Sequence, residues 1–556
     1  MNTLQRAVVW RDHDPDPATR DTITKLIDAA TSGDTGAEAE LASRFAGPLT
    51  FGTAGLRGEV GAGESRMNRA VVIRATAGLV SWLQTKTPNP TVVIGCDARH
   101  GSAEFQRDAA EVVSGAGATA LVLPAQLPTP VTAFAVRSLG ADAGIMVTAS
   151  HNPPADNGYK VYLGGRVSPG DGDGVQIVSP ADSEITEHIN AQPPADQIPR
   201  TDDNVKHVDV LQEYLKRAGA LGTPNPLRIV LTPMHGVGGA VAVQALAAAG
   251  FTDIHVVEEQ ALPDPDFPTV SFPNPEEPGA LDLAFALATD VEADVILALD
   301  PDADRCAAAI PTATGWRQLT GDETGALLGE YIATKYAKSG AKGGVMANSI
   351  VSGRLLSRIA EDHGLDHQAT LTGFKWIART PGLVFGYEEA IGYCTDPEYV
   401  RDKDGITACI TMASLVAALK AQGRTVDDAL AELARRHGLH ATAPLTFRVS
   451  NLQLIADGMD TLRAHPPTEL AGSKVVEFSD LAEGYQGLPG TNGVLIRTAD
   501  DDRVIVRPSG TEPKLKCYLE VVIPMDESHV DVPWDAADQR LGELKRDVAK
   551  AVGMQA

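Results

Sequence analysis

Thr91-Val-Val-Ile-Gly-Cys-Asp97 is a short, β-branched apolar run, followed by an alanine-rich amphipathic stretch at 105–117 and a second apolar run at 118–124. Runs of this length with no polar alternation suit strands buried on both faces, and the stretch between them has helical length and period. The alternation continues with Ala143-Gly-Ile-Met-Val-Thr148. It starts afresh with Leu227-Arg-Ile-Val-Leu-Thr-Pro233, a helical stretch at 239–250, a run at 254–257 and Asp294-Val-Ile-Leu-Ala-Leu-Asp300. A third group has strands at 343–350 and 382–387 and a helix at 323–339. Strands spaced by helices predict crossover units and largely parallel sheets, that is, an α/β chain. After residue 440 the pattern changes to shorter, mixed strands at 493–497, 503–506 and 517–523, which predicts a smaller α+β domain. No residue-level repeat links the three α/β groups.

Composition marks the boundaries. Residues 190–204, Asn-Ala-Gln-Pro-Pro-Ala-Asp-Gln-Ile-Pro-Arg-Thr-Asp-Asp-Asn, read as a polar linker, and Pro311-Thr-Ala-Thr-Gly315 as a turn between the second and third groups. The expected division is a helical extension at 1–45, then domains at 46–204, 205–312, 313–440 and 441–556. With 47 Lys and Arg against 73 Asp and Glu, the 556-residue chain has a net charge of −26. That field excludes the basic stripe that tracks nucleic acid or an anionic membrane surface. Any anionic substrate must be held by local cations. Five scattered cysteines with no zinc-ligand spacing, and no apolar leader or 18-residue apolar span, predict a cytoplasmic protein.

In open α/β sheets, ligands sit at the carboxyl ends of the strands, so the loops after them carry the chemistry. Thr148-Ala-Ser-His-Asn-Pro-Pro154 follows one strand and is succeeded by Asn157-Gly-Tyr-Lys160. A serine held exposed on a sharp, proline-terminated loop is a candidate nucleophile, with His151 and Lys160 beside it for proton handling or charge compensation. An ordinary Ser-, Asn- and Pro-rich turn has the same composition. Asp300-Pro-Asp-Ala-Asp-Arg305 follows another strand, and its three alternating carboxylates converge on one hard cation if the loop curls. An all-oxygen set selects magnesium or calcium over zinc and leaves room for a phosphate oxygen. Gly386-Tyr-Glu-Glu-Ala-Ile-Gly-Tyr393 offers adjacent carboxylates suited to sugar hydroxyls. Arg507-Pro-Ser-Gly-Thr-Glu-Pro513, followed by Lys514 and Lys516, would make an anion cradle from an Arg fork, hydroxyls and backbone N–H groups around Gly510. Met234-His-Gly-Val-Gly-Gly239 lacks the full dinucleotide glycine spacing, so His235 is read as structural.

Together these loops resemble those of the α-D-phosphohexomutase family, one signature loop in each of four domains and over nearly the whole chain after residue 45. The resemblance implies three related α/β domains and a smaller C-terminal α+β domain around a central active-site cleft. It implies a phosphorylated nucleophile at Ser150, magnesium held by Asp300, Asp302 and Asp304 with the Ser150 phosphate, and sugar contacts from Glu388 and Glu389. Phosphate is then bound by Arg507, Ser509, Gly510 and Thr511. Gly52-Thr-Ala-Gly-Leu-Arg-Gly58 resembles the family's N-terminal Arg loop, with Arg57 toward the transferring phosphate, and Thr372-Gly-Phe-Lys375 its third-domain substrate loop. Arg305 joins the substrate-binding set, and Asp97-Ala-Arg-His-Gly-Ser102 takes a structural role near the site.

The implied reaction is exchange of phosphate between the 1- and 6-positions of a hexose, through phosphoserine and a 1,6-bisphosphate that also serves as activator. His151, Lys160 and Arg57 are the candidates for proton handling. Ala390 stands where many hexose enzymes of this kind have serine, which makes a pentose phosphate the runner-up substrate. The same loops would also serve a sugar-1,6-bisphosphate synthase or a noncatalytic sugar-phosphate sensor. Intact Ser150 and all three aspartates weigh against the sensor. Oligomeric state is not readable.

Overall fold

The computed structural model describes every residue except Thr53, Ser450, 510–512, Glu527, Gln555 and Ala556. The chain forms two compact units, Met1–Gln318 with Gly392–Ala418, and Leu319–Ile391 with Leu419–Ala556.

The first unit opens with three helices, Thr3–His13, Pro17–Thr31 and Thr35–Arg44, capped by Asn2, Asp16 and Asp34. Each capping side chain accepts from otherwise orphaned N–H groups of the first turn. The helices bury Ala7, Ile23, Leu41 and Phe45 against one another. The first sheet runs, in order, Leu56–Glu59, Asp156–Leu163, Ala143–Val147, Thr91–Cys96, Thr119–Val122 and Val205–His207. Its three central strands, Ala143–Val147, Thr91–Cys96 and Thr119–Val122, are parallel, and the first two are almost wholly buried, which is why they read as unbroken apolar runs. A second sheet runs Gly315–Gln318, Cys306–Thr312, Val295–Leu299, Arg228–Thr232 and Asp253–Val256.

Two features depart from the sequence expectation. The loops after Ala143–Val147 and Val295–Leu299 do not lead into helices. Each turns back into an antiparallel neighbour, Asp156–Leu163 and Cys306–Thr312 respectively. Lys160 therefore lies on a strand and not in a loop. The sheets also extend past the residues marked by composition. Val205–His207 joins the first sheet, and Gly315–Gln318 the second. Within 190–204, Ala195 and Ile198 are buried against Ala70, Ile73 and Val112. A proline-rich composition does not prevent a segment from supplying apolar side chains to a core.

In the second unit, Val345–Ser349, Asp366–Thr370 and Leu383–Glu388 are parallel, with the helices Gly321–Lys338 and Leu355–Asp362. Asp366–Thr370 has no apolar run and escapes sequence analysis. A six-stranded antiparallel sheet follows, in the order Leu439–Arg448, Lys514–Ile523, Arg503–Pro508, Val494–Thr498, Ser473–Asp480 and Glu469–Leu470. The helices Gln453–Ala464 and Trp534–Ala551 cover it through Met459, Leu462, Leu544 and Val548. The architecture is thus three α/β domains and a smaller α+β domain. Among the described residues, no single helix is long and apolar enough to cross a membrane.

Candidate active site

Ser150 sits at the tip of the hairpin that joins Ala143–Val147 to Asp156–Leu163, with φ at +51°. Its N–H donates to Thr148 Oγ1 at 2.9 Å, its hydroxyl donates to Asp300 Oδ2 at 2.9 Å, and His151 Nδ1 lies 3.3 Å from Oγ. The serine is only 3 % exposed, which corrects the expectation of an open position. The hydroxyl is turned onto the Asp loop of the second sheet, and that loop shields it from solvent.

The Asp loop closes a hairpin in which Leu299 pairs with Cys306. This tight turn places Asp300, Asp302 and Asp304 on one side, all buried. Asp300 Oδ1 accepts from the Arg305 N–H at 3.0 Å. Asp302 Oδ2 accepts from Thr129 Oγ1 at 2.6 Å and from Lys160 Nζ at 2.7 Å. Asp304 Oδ2 accepts from Lys160 at 2.9 Å and pairs with Lys403 at 3.0 Å. Asp302 Oδ1 and Asp304 Oδ1 are buried with no hydrogen-bond partner among the described residues. Buried acceptors of this kind are costly unless something else satisfies them. One oxygen from each aspartate lies within 4.8 Å of the others. The site therefore fits a hard divalent cation.

The titration behaviour follows from this crowding. Burial and the two neighbouring carboxylates hold the Asp300 carboxyl well above its ordinary pKa. Burial also works against Asp302 and Asp304, but Lys160 at both, with Lys403 at Asp304, brings them below the usual range. Burial acts to lower the Lys160 ammonium, yet Asp302 and Asp304 outweigh it and leave its pKa raised.

Arg57 lies on the edge strand Leu56–Glu59, opposite Gly158, and donates to Asn152 Oδ1 at 3.2 Å. Its Nε is buried without a partner among the described residues, and burial lowers its pKa despite the charge of Asp302. Arg305 turns toward Glu276 at 3.7 Å and Asp304 at 3.9 Å. The 234–239 loop buttresses the Asp loop: the Val237 N–H donates to Pro301 O at 2.9 Å, and a Cβ at Gly236 would collide with Pro301. His235 Nε2 lies 2.9 Å from Thr269 Oγ1.

In the first unit, two of these residues escaped sequence analysis. Thr129 opens a helix distant in sequence from the Asp loop. Lys403 lies in Arg401-Asp-Lys-Asp-Gly405, a mixed-charge stretch with no motif to mark it, and is buried. Arg99 was legible only as a member of a neighbouring structural loop.

In the second unit, Glu388 ends the strand Leu383–Glu388. Next to it, Glu389 accepts from the hydroxyls of Ser349 and Ser352, both at 3.0 Å. Burial, then the charge of Asp322, raises the Glu389 carboxyl. Arg507 lies opposite Lys516 in the antiparallel sheet, and its Nε is buried without a partner among the described residues. Tyr518, which the sequence did not single out, lies opposite Ile505 in the same sheet, where it feels the charges of both Glu389 and Arg507. Its hydroxyl is raised first by burial and then by the charge of Glu389, while the charge of Arg507 acts the other way. The Ser509 N–H donates to Lys514 O at 2.8 Å, and Lys375 lies on the short helix Phe374–Ile377. Gly510 and Thr511 of the expected cradle lie outside the described residues.

A buried seryl hydroxyl on an acidic, cation-ready triad, ringed by lysine and arginine, is the equipment of a metal-assisted phosphoryl-transfer enzyme. Four family models match in sequence order. They are the phosphoglucomutase/phosphomannomutase alpha/beta/alpha domains I, II and III, at 48–195, 206–315 and 320–437, and the C-terminal domain at 460–527. The chain belongs to the phosphoglucomutase/phosphomannomutase family, a family of metal-dependent isomerases that transfer phosphate within one molecule. It is 45% identical over 460 residues to a probable phosphomannomutase of Haemophilus influenzae, covering 82% of this chain and 93% of that one. It is 35% identical to a probable phosphoribomutase of Schizosaccharomyces pombe, covering 92% of each chain. A solved putative phosphomannomutase from Thermus thermophilus shares the fold, with a TM-score of 0.70 at 22% identity over 91% of this chain and 99% of that one.

Proposed function

We propose that this enzyme interconverts the 1- and 6-phosphates of a hexose, glucose or mannose, through a phosphoserine at Ser150 and a bound sugar 1,6-bisphosphate. The observation that carries the reading is the Ser150 hydroxyl 2.9 Å from Asp300, in a triad with two carboxylate oxygens that have no partner among the described residues. A serine without a base is a weak nucleophile, and His151 Nδ1, 3.3 Å away, is its nearest proton acceptor on the loop. Lys160 is held protonated by its two aspartates, so its role is charge compensation rather than base catalysis. Arg57, whose Nε has no partner among the described residues, supplies a donor for a phosphate oxygen. Asp300, Asp302 and Asp304 would hold Mg²⁺, which supplies charge neutralisation for the phosphoryl group when bound, and Ser150 would complete the set after phosphorylation. In the second unit, Glu388 and Glu389 would accept from sugar hydroxyls. Lys375 and the loop of Arg507, Ser509, Gly510 and Thr511 would hold the phosphate that is not reacting, and Arg305 would assist at the Asp loop.

A free sugar 1,6-bisphosphate would serve as activator by phosphorylating Ser150. The five buried, unpaired cysteines suit a reducing compartment, and a cytoplasmic site of action is part of this proposal. Two observations favour a second reading: the phosphoribomutase relative and Ala390 both point to ribose 1-phosphate and 5-phosphate.

Turnover of glucose, mannose and ribose 1-phosphates, with and without bisphosphate primer, separates the two readings. Intact-mass spectrometry should find phosphate at Ser150 on wild type, and Ser150→Ala should abolish turnover while leaving the fold intact. Substantial activity in that variant would sink the covalent route.

A further inference from the structure

We propose that Arg99 is a positioning residue that clamps the Ser150 loop from beneath, so that it governs the transfer step and not the binding of the sugar phosphate. The kinetic part rests on the phosphoserine reading above. The clamp itself rests on geometry alone. Arg99 Nη2 donates to Ser150 O at 2.6 Å and to Asn152 O at 2.5 Å, and Nη1 donates to Pro153 O at 2.8 Å and Asp156 O at 3.0 Å. One guanidinium thus gathers four carbonyls of a single seven-residue turn, and all four acceptors are main-chain oxygens. Arg57, Lys160 and Lys403 differ in that each reaches a side chain of the site.

The turn needs such a clamp. Ser150 has a left-handed φ, which non-glycine residues hold only where the surroundings over-determine it. If its carbonyl were released, the serine would relax toward negative φ and swing its hydroxyl away from Asp300. Arg99 is itself fixed. It is 4 % exposed, its N–H donates to Asp97 Oδ1 at 2.9 Å, and its guanidinium lies 5.0 Å from the centre of the Phe267 ring. Asp97 also accepts from Ser102 Oγ at 2.6 Å, and Asn157 donates to Ser102 Oγ and His100 O, both at 2.9 Å. The 97–102 loop therefore grips the serine turn along its length and at its far end. A lysine keeps the charge but cannot reproduce the planar fork that serves four acceptors.

The test uses the full-length enzyme with Arg99→Lys, glucose 1-phosphate as substrate and glucose 1,6-bisphosphate as primer. Amide hydrogen exchange at 150–156 should accelerate at least about tenfold, with Thr91–Cys96 unchanged. The kcat per phosphorylated Ser150 should fall on the order of 100-fold, as expected for a reacting atom misplaced by about 1 Å, with KM within about two-fold of wild type. If Arg99→Lys does not fold, Asp97→Asn, which loosens the anchor but keeps the fork, should give the same pattern at smaller amplitude. Unchanged exchange in the serine turn, or a KM that rises with kcat preserved, overturns the clamp. Should Ser150→Ala prove active, the phosphoserine reading falls, and the exchange measurement still decides whether Arg99 holds the turn.

Discussion

Lys160→Met removes the one ammonium that bridges Asp302 and Asp304, at 2.7 and 2.9 Å, and replaces it with an apolar side chain of similar length. Asp304 keeps Lys403 at 3.0 Å, so the loss falls on Asp302, which among the described residues retains the Thr129 hydroxyl alone. Breaking a buried pair from one side typically costs about 3–5 kcal/mol, and the surviving Thr129 bond places this case near the lower end. At about 1.4 kcal/mol per factor of ten, amides of Ala143–Val147 and Asp156–Leu163 should exchange roughly 100- to 1,000-fold faster in EDTA. The sign of the pH dependence follows from Asp302. Burial raises its pKa, but Lys160 outweighs burial in the wild type and leaves it depressed. That contribution is present above the unfolded value, about 4, and is lost as pH falls through the folded one. In the variant, burial acts unopposed by Lys160 and the pKa rises, so the cost grows as pH climbs above about 4. Saturating Mg²⁺ should restore most of the protection, because it replaces the missing positive charge. Equal acceleration at pH 4 and pH 7, or no restoration by Mg²⁺, would refute the assignment of Lys160 as counterion to the triad.

Asp304→Asn keeps the shape of the loop but removes a charge. It should raise the Mg²⁺ concentration needed for half-maximal turnover far more than it lowers thermal stability, and EDTA-treated wild type should be inactive until divalent metal is returned. Arg507→Ala should weaken binding of 1-phosphate and 6-phosphate sugars alike, by about 1.5–3 kcal/mol for a charged hydrogen bond, as read by calorimetry; loss for only one isomer would rule out a shared phosphate contact. Burial pushes His367 down to about 4, so the unfolded chain takes up a proton that the folded one refuses between about pH 6.5 and 4. Stability of the second unit should fall as pH drops through that window, and His367→Gln, which retains a group able to bond Asn348, should flatten the dependence in a pH series of hydrogen exchange.

The fold class and the chemistry-bearing loops are written in local sequence. Buried parallel strands admit no polar alternation, so residues 91–97 and 294–300 announced themselves. Ser150 and the three aspartates were legible because their spacing within single loops is a local property. What those loops meet is settled by tertiary packing. Lys160 was read with the serine loop because Asn157-Gly-Tyr-Lys160 follows it directly in sequence. An antiparallel partner made it a strand residue and aimed its ammonium at carboxylates more than 140 residues away. Lys403, Thr129 and Tyr518 carry no local signal, since a lone lysine, threonine or tyrosine is common anywhere. They matter through the groups that distant segments bring within hydrogen-bond reach. Ser150 shows the division most plainly. Its residue type and its turn are sequence properties, but its burial and the direction of its hydroxyl come from Asp300 in another sheet and Arg99 in another loop. Local propensity can propose a nucleophile, whereas the charges that surround it are set by long-range packing, which single-sequence periodicity does not encode.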